Sequence, residues 1–296
     1  MNKNIILEAK NLTKAYGAKK ALDNLNLELS KGEVLGYIGP NGAGKTTTIR
    51  LILGLLQPTE GEVTLFGKDA LDDVAHTHKR LAYVPGDTNF WPNLTGAETL
   101  KFLANIHGDI DESYQKQLIN KFQFEPDKKV RTYSKGNRQK IALIAAFATK
   151  AELLIFDEPT SGLDPVMAKV FRDEVLAAKK NGQAVLLSSH ILEEVEELCD
   201  RIAVLRAGKL VEQGTLEDLR HLSAVIVEAN FAKSPPDLSK IKGVSNVEKH
   251  DSFVRCQVNG SIDEVLSVVA KAKPLSFISR KPSLEELFLA LYTDKK

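Results

Sequence analysis

Residues 39–46 read G-P-N-G-A-G-K-T, directly after the apolar run 34–38; past Gly44 and Lys45 the chain runs T-T-T-I-R-L-I-L-G-L, whose apolar residues recur at helical spacing. That order predicts strand, glycine loop and helix. Glycines at 39, 42 and 44 let the backbone close around a phosphate, with N–H groups aimed inward and the helix N-terminus adding positive potential. Pro40, Asn41, Ala43 and Thr47 complete the stretch. Lys45 suits the β- and γ-phosphates of a nucleotide triphosphate, and Thr46 suits Mg²⁺.

A second segment, L-L-I-F-D-E-P-T at 153–160, predicts a buried strand ending in carboxylates. Asp157 is placed to hold the magnesium shell. Glu158, expected on the other side of an extended backbone, is placed to polarise a water without competing for the metal. Pro159 and Gly162 predict a turn that brings Asp164 to the start of the next helix. Between the two motifs lies Y-S-K-G-N-R-Q at 133–139, a poor phosphate site unless another chain presents it. The chain therefore reads as half of something.

Bulk properties narrow the setting. A formal charge of +1 gives no basic excess, so no nucleic-acid partner is expected. No apolar run approaches the roughly 20 residues of a membrane span, so the chain is expected to stay in the cytosol. Cys199 and Cys256 are isolated and suit reduced core positions.

Alternation at 5–10, 22–29 and 62–66 predicts an antiparallel β subdomain feeding a parallel core. Helices at 95–106 and 112–122 predict a helical insertion over about 90–150. Strands at 153–156, 184–188 and 202–205 alternate with helices at 165–180 and 192–199, as in a doubly covered parallel sheet. Character changes around Ser223. Strands at 224–231, 244–249 and 253–258 and a helix at 262–270 predict a small α+β domain over 223–296, after a main domain over 1–222. Leu284, Leu287, Phe288 and Leu291 form an apolar stripe with Ser283 as N-cap.

The three motifs, in this order, make 5–219 resemble the nucleotide-binding subunit of an ATP-binding cassette (ABC) transporter. The resemblance implies an α/β P-loop NTPase core that binds ATP and Mg²⁺ and hydrolyses ATP with Glu158, Lys45 and His190, Tyr16 stacking on adenine. It implies that Ser134, Lys135, Gly136 and Asn137 face a nucleotide on a second ATP-binding subunit, identical or closely homologous, with Asp164 in the dimer loop. Lys135 and Asn137 depart from the family's glycine and glutamine; Lys135 is expected to face solvent, since lysine is seldom buried unpaired. The implied partner is a multi-span permease, placing the chain on the cytoplasmic face of the cell membrane. The 223–296 domain resembles those of drug and antibiotic exporter ATPases, which favours export.

One departure bears on mechanism. Gly86 stands where the family has a glutamine near the attacking water, which implies slow turnover in isolation, with Asp87 as a candidate substitute. Phe90, Trp91, Pro92 and Leu94 are expected to form an apolar groove for a partner helix. A ribosome- or DNA-directed cassette protein and a regulator with little turnover are the alternative readings.

Overall fold

The computed structural model describes residues 4–72, 74–108, 110–221 and 225–286, apart from the side chains of 219–221. The chain divides into two compact units, Met1–Gln213 and Gly214–Lys296.

The first unit opens with β1 (Ile5–Tyr16) and β2 (Lys19–Ser30), paired antiparallel with Leu7 opposite Leu29 and Leu12 opposite Leu25. Their inward leucines are buried. Both strands outrun the alternation seen in sequence, because register shifts between Ala9 and Leu12 and between Leu12 and Lys14 break the two-residue period. Next come β3 (Val34–Ile38), buried throughout, and α1 (Lys45–Ile52). β4 (Glu60–Leu65) and β5 (Lys68–Asp69) complete a sheet ordered β2-β1-β4-β5.

After α2 (Val74–His78) and β6 (Leu81–Val84) the chain enters its helical insertion: α3 (Gly96–His107), α4 (Glu112–Lys121) and α5 (Lys135–Ala148). Thr95 and Glu98 close a reciprocal capping box on α3. Returning to the core, β7 (Leu153–Asp157), α6 (Pro165–Lys180), β8 (Ala184–Ser188), α7 (Leu192–Leu198), β9 (Arg201–Arg206) and β10 (Lys209–Thr215) follow. The sheet order is β10-β9-β3-β8-β7-β6, parallel from β9 to β6. Fully buried strands such as β7 and β8 suit a parallel sheet covered on both faces. Phe147, Phe156 and Phe171 pack with centroids 5.2–6.1 Å apart, locking α5 and α6 onto β7. Buried Glu174 on α6 accepts from Lys121 Nζ at 2.5 Å and from the Tyr114 hydroxyl, anchoring α4 to the core.

Parallel pairing has one consequence for function. The C-terminal ends of β3, β6, β7 and β8 lie at one edge, the edge where open α/β sheets bind ligands.

The second unit holds α8 (Leu216–His221), β11 (Val225–Asn230), β12 (Val244–His250), β13 (Phe253–Val258), α9 (Asp263–Lys271) and β14 (Ser276–Arg280). Its antiparallel sheet is ordered β12-β13-β11-β14, and Val227, Ala229, Val254 and Cys256 cluster with Val265 and Val269 of α9. On this sheet Arg280 reaches Glu228 at 2.9 Å and Glu286 at 2.7 Å, and Arg255 also pairs with Glu286. Leu284 is buried, and Glu286 N donates to Ser283 Oγ at 3.2 Å. Leu287, Phe288 and Leu291 lie outside the described residues.

Candidate nucleotide-hydrolysis site

The loop leaving β3 forms the floor of the site. Gly44, at φ 115°, precedes α1, and a Cβ there would stand 2.7 Å from the Ala21 carbonyl, so only glycine fits. No side chain caps α1, which leaves its first N–H groups for an anion. Lys45 Nζ folds back to donate to the Gly39 carbonyl at 2.5 Å and the Pro40 carbonyl at 3.3 Å. Burial lowers its pKa, against the opposing charges of Glu158 and Asp157. A cavity of about 570 Å³ opens over this loop, walled by Pro40, Asn41, Gly42, Gly44, Lys45, Thr46 and Thr47, with Tyr16 and Glu158 also on its lining. Gly39 and Ala43 are buried beneath it. Tyr16 is 54 % exposed, leaving its ring accessible.

The carboxylates come from β7. Asp157 accepts from Thr46 Oγ1 at 3.1 Å and from Ser188 Oγ at 2.6 Å, although 111 residues separate it from Thr46. Glu158 differs from its sequence expectation: the backbone is not extended there but left-handed, at φ 50°. The strand stops at Asp157, Glu158 N donates to the Ser188 carbonyl at 3.0 Å, and Ser161 N returns to the Glu158 carbonyl at 3.2 Å, so the chain is already turning. The turn sets Glu158 between two partners. Lys45 Nζ lies 4.0 Å from one carboxylate oxygen and His190 Nδ1 3.4 Å from the other.

The 133–139 segment starts α5, with Ser134 as N-cap accepting from Asn137 N at 3.2 Å. Lys135 is exposed, as expected, yet it is not unpaired: its Nζ donates to Ser161 Oγ at 3.0 Å. A Cβ on Gly136 would come within 2.3 Å of the Gly162 carbonyl, so α5 begins flush against the turn after Glu158. Asp164 caps α6, accepting from Met167 N at 2.9 Å.

A family model described as ABC transporter matches residues 22–161. An ABC transporter ATP-binding protein of Bacillus subtilis, YhaQ, is 34 % identical over 96 % of this chain and 97 % of its own length. The chain belongs to the ABC transporter family. The bacitracin transport ATP-binding protein BcrA of Bacillus licheniformis is 38 % identical over 73 % of this chain and 71 % of its own length. Among solved structures, an ABC transporter ATP-binding subunit superposes with a TM-score of 0.69 at 32 % identity, covering 73 % of this chain and 92 % of that one. The dimeric cassette MJ0796, captured after hydrolysis with ADP and Pi, superposes at 0.64 with 25 % identity, covering 71 % and 99 %. This chain is an ABC ATPase subunit: it binds and hydrolyses ATP, and such subunits work as dimers with transmembrane partners.

In this ABC ATPase the residues after β6 depart from sequence expectation in part. A Cβ on Gly86 would stand 3.0 Å from the Asp157 carbonyl, so the loop passes tightly over the carboxylate strand. Asp87 is exposed and accepts from Asn89 Nδ2 at 3.4 Å. The expected groove is built differently. Trp91 packs edge-on against Phe102 at 4.7 Å, and the Pro92 and Leu94 carbonyls are bonded to Arg131 N and Val130 N. Of the four expected residues, Phe90 lines the apolar groove, of about 600 Å³, together with Leu53, Leu55, Tyr83, Leu103 and Ile106. Burial, with the Asp157 charge, pushes the Tyr83 phenol up to about 12.

Sequence reasoning missed Thr160, Ser188, Ser189 and Glu194. Ser188 and Ser189 carry no motif and Thr160 closes one without a role of its own, but Glu194 left a trace: it shares the buried face of α7 with Val195 and Leu198, where a carboxylate needs partners. Among the described residues no helix is long and apolar enough to cross a membrane.

Proposed function

We propose that this ABC ATPase hydrolyses ATP with Mg²⁺ at the edge of its parallel sheet, paired with a second copy or close homologue, and drives a multi-span permease in export. The observation that carries the assignment of residues is the position of Glu158, within 4.0 Å of Lys45 and 3.4 Å of His190. Lys45 and the uncapped start of α1 bind the phosphates, and Tyr16 stacks on the base. Thr46 and Asp157 supply hard oxygen ligands 3.1 Å apart, a donor set that fits Mg²⁺. When bound, that ion neutralises phosphate charge.

Glu158 accepts the proton of the attacking water, and His190 orients Glu158 and contacts the γ-phosphate. Ser134 and the Gly136 N–H, with Lys135 and Asn137 beside them, face the nucleotide held by the opposite subunit. Asp164 fixes the turn that meets that subunit. ATP joins the two halves and hydrolysis releases them, so the permease is moved by differential affinity for closed and open dimers. Gly86 supplies no side chain toward the water, so isolated turnover is slow.

The apolar groove seats a helix of the permease. Leu55 and Ile106 lie 60 % and 66 % exposed beside it, a hydrophobic surface that a partner covers. The permease sets the chain on the cytoplasmic face of the membrane. Bacitracin transport by a relative supports a drug, antibiotic, peptide or lipid-like substrate. Detergent-solubilised membranes test this reading: the tagged chain should retain a multi-span protein that stimulates its ATPase, and Leu55→Asp with Ile106→Asp should release it. Recovery of ribosomes or DNA instead would refute it.

A further inference from the structure

Glu194 is a carboxylate without an obvious reason to be buried. It is 3 % exposed on α7, four residues beyond His190, and burial pushes its pKa up against the pull of two hydroxyl donors. Those donors are Thr160 Oγ1 and Ser189 Oγ, each 3.1 Å from the same oxygen, Oε2. Thr160 and Ser189 are themselves buried, at 7 % and 2 % exposure. Thr160 lies two residues past Glu158, and Ser189 immediately precedes His190.

One carboxylate oxygen thus joins the two turns that carry the proton acceptor and its imidazole neighbour. Beyond the Glu158 N bond to the Ser188 carbonyl, neither turn is held by a strand ladder, because β7 ends at Asp157 and β8 at Ser188. Ser189 Oγ also accepts from Ile191 N at 3.0 Å, which extends the link to the residue that opens α7.

We infer that Glu194 is a positioning residue for ATP hydrolysis, cross-linking the Glu158 turn to the His190 turn and fixing the register of that pair without touching nucleotide. The inference rests on the roles proposed above for Glu158 and His190. Hydrogen bonds strengthen in a site shielded from water, so the clamp is stiff where the reacting geometry must be held. Because both hydroxyls converge on one oxygen, a side-chain amide of the same length can accept both with its two lone pairs. The clamp requires reach rather than charge.

Steady-state ATPase of the full chain tests it, comparing wild type with Glu194→Ala, Glu194→Gln, Thr160→Val and Ser189→Ala. Loss of the clamp lets the Glu158–His190 geometry drift, and displacement on the order of 1 Å costs roughly 100-fold. The expected result is a kcat lowered about 10- to 100-fold in Glu194→Ala, with KM for ATP within about threefold of wild type. Glu194→Gln should stay within about threefold of wild type, and adding Thr160→Val to Glu194→Ala should change nothing further. Wild-type kcat in Glu194→Ala, or Glu194→Gln as impaired as Glu194→Ala, would overturn the inference. Should Glu194→Ala fail to fold, unchanged kcat in both Thr160→Val and Ser189→Ala overturns it equally. An inactive wild type, or full activity in Glu158→Gln, refutes the hydrolytic roles themselves; an active wild type indifferent to Glu194 refutes the clamp alone.

Discussion

At the edge of the parallel sheet, Asp157 is held by the hydroxyls of Thr46 and Ser188, and Glu194 by those of Thr160 and Ser189. In the second unit, Glu228 and Glu286 are held by the guanidinium groups of Arg255 and Arg280. Both arrangements satisfy buried or half-buried carboxylates, but they leave different things behind. A neutral hydroxyl donor orients a carboxylate without cancelling its charge, which at Asp157 is left to act on a metal. An arginine fork cancels that charge and turns the pair into a brace. Glu286 shows the second case, its carboxyl drawn down to about 2 chiefly by Arg280.

The sharpest way to break this comparison is to remove charge while keeping shape. Asp157→Asn keeps the side chain's size and one of its two acceptor oxygens, those that take Thr46 Oγ1 and Ser188 Oγ, yet should lower ATPase turnover at least 100-fold or so, as lost electrostatic stabilisation does. Lys45→Ala should do the same. Glu228→Gln, the parallel change in the second unit, should leave turnover within about twofold, and equal losses at Asp157 and Glu228 would erase the distinction.

A smaller effect is expected on stability. Removing Arg280 leaves Glu228 and Glu286 with Arg255 alone, and because Arg280 is 38 % exposed the loss should be only about 1 kcal/mol by chemical denaturation. The pH dependence follows with a definite sign. A folded-state carboxyl pKa drawn from 4.5 to about 2 adds stability that is complete above 4.5 and disappears as pH falls toward about 2. Melting curves from pH 6 to pH 2 should therefore be less acid-sensitive in Glu286→Gln. Gly86→Ala should cost a comparable amount, about 1 kcal/mol, with a few-fold loss in turnover, because its Cβ meets the Asp157 carbonyl at 3.0 Å and the loop must shift slightly.

How much could be read in sequence depended on how far apart the interacting residues lie along the chain. The phosphate loop is one continuous segment between a strand and a helix, so Lys45 and Thr46 were legible with their surroundings. The helix Pro165–Lys180 was legible to the residue, since Asp164 and Pro165 mark its start. Glu158 was legible as a residue type but not as a conformation, because its left-handed turn answers a hydrogen bond to Ser188 from a separate strand. The Lys135 contact with Ser161 spans 26 residues and belongs to no motif. Of the expected groove only Phe90 was legible; Leu55 and Ile106 come from segments that only the tertiary fold brings together. β14 carries only a brief alternation, with Phe277 inward, and gave no signal against its polar neighbours.

The central claim is that Glu158 completes hydrolysis of an ATP enclosed between two such subunits. Sedimentation or light scattering of purified Glu158→Gln, with ATP, with ADP and without nucleotide, tests it most directly. Binding intact with hydrolysis blocked predicts a dimer with ATP and a monomer in the other two conditions. A chain that stays monomeric at saturating ATP, or hydrolyses it at the wild-type rate, would contradict the account.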